Sequence, residues 1–127
     1  MSPLDDVQIL MGNAHHKLKV AKNLLGNGFY GDAVSRAYYA MFFAARALLS
    51  KKNMYPKTHR GLISQFGLEL VKTGKFDNKV FDILNRAQED REEADYGLLP
   101  EIGKKEAEII ISGAEAFLAE CETNLRK

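Results

Sequence analysis

The chain has 127 residues, enough for one domain with a true core. Apolar residues make up 46% and charged residues 28%, and the formal charge is only +1, so no chain-wide field exists to draw in nucleic acid or an anionic membrane; only local patches can do so. A single cysteine, Cys121, excludes a disulfide within the chain.

Asp5 and Asp6 stand where a signal peptide would carry bases, and no apolar run approaches the roughly 20 residues of a membrane span. The expectation is a cytoplasmic protein with no membrane segment. The first helix is expected to start with Ser2 as N-cap and Pro3 as its first residue. Leu4, Val7, Met11, Ala14, Leu18, Ala21 and Leu25 recur in steps of three and four, which keeps one face apolar. Lys17, Lys19 and Lys22 are expected to face water, as are His15 and His16. The two histidines point about 100° apart on a helix and do not readily share a metal. Gly26-Asn27-Gly28 ends the helix.

Gly26 to Gly31 matches a GxGxxG string. A dinucleotide loop needs a strand before it, and an amphipathic helix precedes this one, so the reading is a helix–helix turn.

The central stretch runs from Ser35 to Leu49 with no proline or glycine. Ala37, Ala40, Met41, Ala44, Ala45 and Leu48 define an apolar face wide enough for a helix packed on several sides. Tyr38, Tyr39, Phe42 and Phe43 fill the gaps between neighbours, while Arg36, Arg46 and the tyrosine hydroxyls need polar partners wherever they are buried. Lys51-Lys52-Asn53 ends this helix and Met54-Tyr55-Pro56 breaks it.

A shorter helix follows, with Thr58 as N-cap and Leu62, Ile63, Phe66, Leu70 and Val71 on one face. His59 falls at its start, where the helix dipole disfavours a charged imidazole. After the turn at Thr73-Gly74-Lys75, a fourth helix carries Phe76, Val80, Phe81, Ile83, Leu84 and Ala87, becomes polar from Gln88 to Glu93, and ends around Ala94 to Gly97. Arg86 and Asp90, and Arg91 and Asp95, are spaced for pairs along that helix, each worth about 0.2–0.5 kcal/mol. The second pair precedes Tyr96 at a turn, where an arginine, a carboxylate and a phenol can grip a phosphate, a base or a partner helix. Pro100 is expected to open the last helix, with Ala107, Ile110, Ile111, Ala114, Phe117, Leu118 and Cys121 inward.

The pattern predicts an all-α fold: one domain over residues 1–127, an up-down antiparallel helical bundle of four main helices and one short helix. Gly28-Phe29-Tyr30-Gly31-Asp32-Ala33 faintly matches a tetratricopeptide helix pair, but no second copy follows. No metal-ligand spacing is present.

The run Ser35-Arg36-Ala37-Tyr38-Tyr39-Ala40-Met41-Phe42-Phe43-Ala44-Ala45-Arg46-Ala47-Leu48-Leu49, then Lys57-Thr58-His59, then Arg91-Glu92-Glu93-Ala94-Asp95-Tyr96, resembles the HEPN domain (higher eukaryotes and prokaryotes nucleotide-binding), in its small single-domain prokaryotic branch. The resemblance covers the chain from about residue 10 to its end. It implies the same bundle, a homodimer, no cofactor, and pairing with a minimal nucleotidyltransferase in a toxin–antitoxin system. It further implies a metal-independent RNase motif, an arginine followed a few residues later by a histidine, sometimes with a tyrosine that accepts a nucleotide. Here Arg91 is present, but residues 92–98 hold no histidine, and Asp95 stands near its place with Tyr96 behind it. An ionised aspartate repels a phosphate and lacks the proton chemistry of imidazole.

The resulting expectation is a dimeric module that binds a nucleotide, RNA or the nucleotidyltransferase through Arg36, Tyr39, His59, Arg91, Asp95 and Tyr96. The alternative is an RNase toxin in which Arg91 and His59 are the catalytic pair.

Overall fold

The computed structural model describes residues 3–96 and 102–127, without the side chains of Pro3, Leu4, Ala94 and Asp95. Five helices account for nearly all of it: α1 (Pro3–Gly26), α2 (Tyr30–Lys51), α3 (His59–Phe66), α4 (Asn78–Tyr96) and α5 (Lys104–Leu125). There is no strand among the described residues. The bundle is up-down and antiparallel, with α2 at its centre, packed on α1, α4 and α5 and touched by α3.

The width of the apolar face on α2 explains that position. All six of its predicted face residues are buried, and so are Ala33, Val34, Tyr38, Phe42, Ala47 and Leu49. Six buried positions of α2 are alanine, which lets α1 and α5 come close along its length. On α1, Met11, Ala14, Leu18 and Ala21 are buried against it. Ser2 lies outside the described residues. His15 and His16 are both exposed, and His15 Nε2 sits 3.2 Å from Glu122 on α5. Lys22 also reaches α5, at 3.2 Å from Glu115, and Lys17 is half-buried.

The glycine string is indeed the α1–α2 turn. Gly28 takes φ +83°, a conformation that side-chain-bearing residues rarely adopt, and the Phe29 amide bonds back to the Leu24 carbonyl. At the end of α2, Asn53 adopts φ 60° and the Met54 amide returns to Leu49.

Thr58 caps α3 through its side-chain oxygen, which accepts from the Gly61 amide at 2.9 Å. Beyond Phe66 the helix widens into a π turn over Gly67–Val71, closed by the Lys72 amide on the Gly67 carbonyl. The periodicity gave no sign of this turn. It accommodates the Phe81 ring, which lies against Gly67, while keeping Leu70 in the core.

Two predicted helix starts shift. Phe76 precedes α4 instead of belonging to it: Asp77 caps the helix by accepting from the Lys79 and Val80 amides, and Phe76 packs edge-on to Phe66 at 4.9 Å between centroids. Likewise α5 begins at Lys104 with Gly103 as its cap, later than Pro100, which itself lies outside the described residues. Cys121 is fully buried, and burial pushes its thiol well above the usual range, as suits a small apolar filler.

Candidate functional site

Tyr38 and Phe42 are four residues apart on α2, so their rings lie one above the other on one face. The start of α3 delivers His59 onto that face. Its imidazole is stacked on Phe42, 4.2 Å between centroids, and its Nδ1 is 2.7 Å from the Tyr38 hydroxyl. The last turns of α4 bring Arg91 over the same rings. Its guanidinium carbon is 4.9 Å from the Tyr38 centroid and 5.6 Å from that of Tyr39. Arg46 lies 6.0 Å from the Phe42 centroid. Three helices thus bring together two cations, one imidazole and two phenols.

Burial shifts the titrating groups. Tyr38 is fully buried, and desolvation raises its phenol far beyond its ordinary value despite the opposing charge of Arg91. The hydroxyl therefore keeps its proton. His59 is pulled below its ordinary value, first by burial and then by the charges of Arg91 and Arg46. With imidazole and phenol both neutral, the contact takes one of two forms: Tyr38 donates to Nδ1 and Nε2 carries the ring hydrogen, or Nδ1–H donates to the phenol oxygen. In the first, His59 offers a ligand an Nε2–H donor; in the second, a base.

The predicted residues divide. His59, Arg91 and Tyr39 meet as described. Arg36 is exposed one turn before Tyr39, and together with Leu24, Asp32 and Ser35 they line a concavity of about 420 Å³ that adjoins the cluster. Tyr96 is 75% exposed at the end of α4. Asp95 belongs to α4, but its side chain lies outside the described residues. Tyr38, Phe42 and Arg46 were not among the predicted site residues. Their one signal was spacing, since 38, 42 and 46 fall on one helical face.

The pair expected within α4, Arg86 with Asp90, is replaced by a bridge between helices. Arg86 binds Glu106 of α5 through both its Nε, at 2.8 Å from Oε2, and a terminal nitrogen on Oε1. Asp90 is half-buried beside Glu106, and desolvation together with that carboxylate raises it to about 7.

An all-α bundle with a cationic aromatic cluster where its second, third and fourth helices meet is the class these features define. The HEPN domain model matches residues 7–124, and this chain belongs to the HEPN family. It is 39% identical over 123 residues to "Putative toxin MJ0605" of Methanocaldococcus jannaschii, spanning 97% of this chain and 91% of that one. It is 38% identical to "Putative toxin MJ0142" of the same organism, over 89% of this chain and 77% of the relative. A UPF0332 protein of Thermotoga maritima is 39% identical over 83% of this chain and 80% of its own. The crystal structure of TT1696 from Thermus thermophilus superposes with a TM-score of 0.77, covering 93% of this chain and 97% of that one; at 20% identity this likeness concerns the fold. No described helix is long and apolar enough to cross a membrane.

Proposed function

We propose that this chain is the HEPN component of a toxin–antitoxin pair, and that it binds a phosphate-bearing RNA segment at the cluster formed by Arg91, Tyr39 and His59. The observation that carries the reading is the guanidinium of Arg91 lying over both tyrosine rings beside a half-buried imidazole. A guanidinium is a planar fork of donors, the geometry suited to a phosphate. Tyr39, half-buried, offers an edge or face to a base, and Arg36 extends positive charge along α2. The names of the two Methanocaldococcus jannaschii relatives support the toxin assignment. In this reading the chain acts as a homodimer in the cytoplasm, restrained by a nucleotidyltransferase partner for which Tyr96, exposed at the end of α4, is an accessible acceptor.

The proximity of His59 to Arg91 favours a second reading, metal-independent RNA cleavage by that pair. It requires the Nδ1–H tautomer, which donates to the Tyr38 oxygen and leaves Nε2 as the base. Incubating the pure protein with RNA in EDTA separates the two. Binding by fluorescence anisotropy that is lost in Arg91→Ala, with the RNA intact, supports the binding module. Cleavage abolished by both Arg91→Ala and His59→Ala establishes the RNase instead. RNA neither bound nor cut removes both.

A further inference from the structure

We infer that the C-terminal end of α2 holds a second anion site, for a small phosphate ester with a flat apolar body. The end of α2, the turn before α4 and the end of α5 together enclose a pocket of about 340 Å³. Its floor is Leu48, Leu70 and Leu125; its rim is Lys51, Lys52, Lys75 and Lys127. None of the residues lining it carries a carboxylate side chain. The pocket shares no lining residue with the Arg91 cluster.

Lysines near helix C-termini normally answer the exposed carbonyls there. That explains Lys51, whose Nζ donates to the Leu125 carbonyl at 3.0 Å and to the Lys127 main-chain oxygen at 3.4 Å. Lys52, the C-cap of α2, is placed by the same rule, but its side chain and that of Lys75 line one rim of the pocket. The charge of Lys75 pulls Lys52 below its ordinary value, and Glu69 offsets this only in part. Like charges held together over an apolar floor become favourable when an anion sits between them. Lysine supplies point charges suited to a phosphate of any orientation, and the leucines reward a ligand that covers them. Inorganic phosphate alone would leave that floor wet. A free apolar molecule would leave the ammonium pair unanswered. The volume lies at the small end of ligand pockets, which limits the body to about one or two fused rings.

The test uses 1-naphthyl phosphate, 1-naphthol and inorganic phosphate, each titrated into the whole protein by calorimetry. The inference expects naphthyl phosphate to bind about tenfold or more tighter than either fragment, the sum of a charge-assisted contact and an apolar one. It expects Lys52→Gln/Lys75→Gln to weaken that binding about tenfold with unchanged helical content, and bound naphthyl phosphate to shift the amide resonances of Leu48, Leu70 and Lys75 in the native chain. Equal affinity for phosphate and naphthyl phosphate, or for naphthol and naphthyl phosphate, overturns it. So does absence of binding, or resonance shifts confined to Tyr39, His59 and Arg91.

Discussion

The Tyr38 hydroxyl and His59 Nδ1 lie 2.7 Å apart, joining the middle of the central helix to the first residue of α3. Phe42 stacks on the imidazole from the same helix, so the ring is held by a hydrogen bond at its edge and by contact on its face. Replacing Tyr38 with Phe keeps the packing and removes the hydroxyl. Leaving the His59 nitrogen unpaired should cost about 1 kcal/mol in urea unfolding and weaken RNA binding through loss of the fixed ring.

His59 should titrate below its ordinary value, because burial and the charges of Arg91 and Arg46 oppose protonation. The folded-state value is depressed, so the unfolded chain takes up the proton first. Stability from this group is therefore complete above the unfolded value near 6.5 and declines as the pH falls below it. Nitrogen-15 NMR at neutral pH separates the two readings, Nε2–H fitting the binding module and Nδ1–H the RNase, and Arg91→Ala should move the midpoint upward.

Arg91→Lys separates charge from shape. Lysine keeps the positive charge but not the planar fork of donors that lies over Tyr38 and Tyr39. RNA affinity should stay well below that of the native chain, by roughly tenfold, and circular dichroism should report an unchanged fold. Full affinity in the lysine variant would show that charge alone suffices.

Asp90 is raised to about 7 by burial and by Glu106, while Arg86 holds Glu106 below the usual carboxylate range. Between the unfolded value and about 7 the folded chain holds a proton on Asp90 that the unfolded chain has lost. Stability therefore falls as the pH rises through that range. Asp90→Asn, which carries no charge at any pH, should flatten this dependence and gain on the order of 1 kcal/mol at pH 8, a figure reduced for solvent screening of a half-buried group.

Gly113 lets α5 close on α4. A Cβ there would overlap Ile83, with its Cγ1 only 2.8 Å away. Gly113→Ala should destabilise the fold by about 1–3 kcal/mol, and Ile83→Ala in the same chain should restore part of the loss.

Much of this fold was legible because its signals are local. The apolar steps on α1 and α2, the Thr58 cap and the Gly28 turn each depend on residues within a few positions. Phe76 was misplaced because its apolar character fits a helix stripe, and only the Asp77 cap reveals where α4 starts. The π turn depends on Phe81 pressing on Gly67 from another helix, which no periodicity records. The same holds for the site. Arg91 and His59 could be named from residue type, but their meeting across Tyr38 depends on how α3 and α4 dock. Arg86 read as a partner of Asp90 because spacing along one helix is visible, whereas Glu106 approaches from α5.

The central claim is that Arg91, His59 and Tyr39, backed by the buried Tyr38, form the RNA-binding surface. NMR mapping during titration with a short single-stranded RNA tests it most directly. The account predicts the largest shifts at Tyr38, Tyr39, His59 and Arg91. Shifts confined to other surfaces, with these four resonances unmoved at saturation, would contradict it.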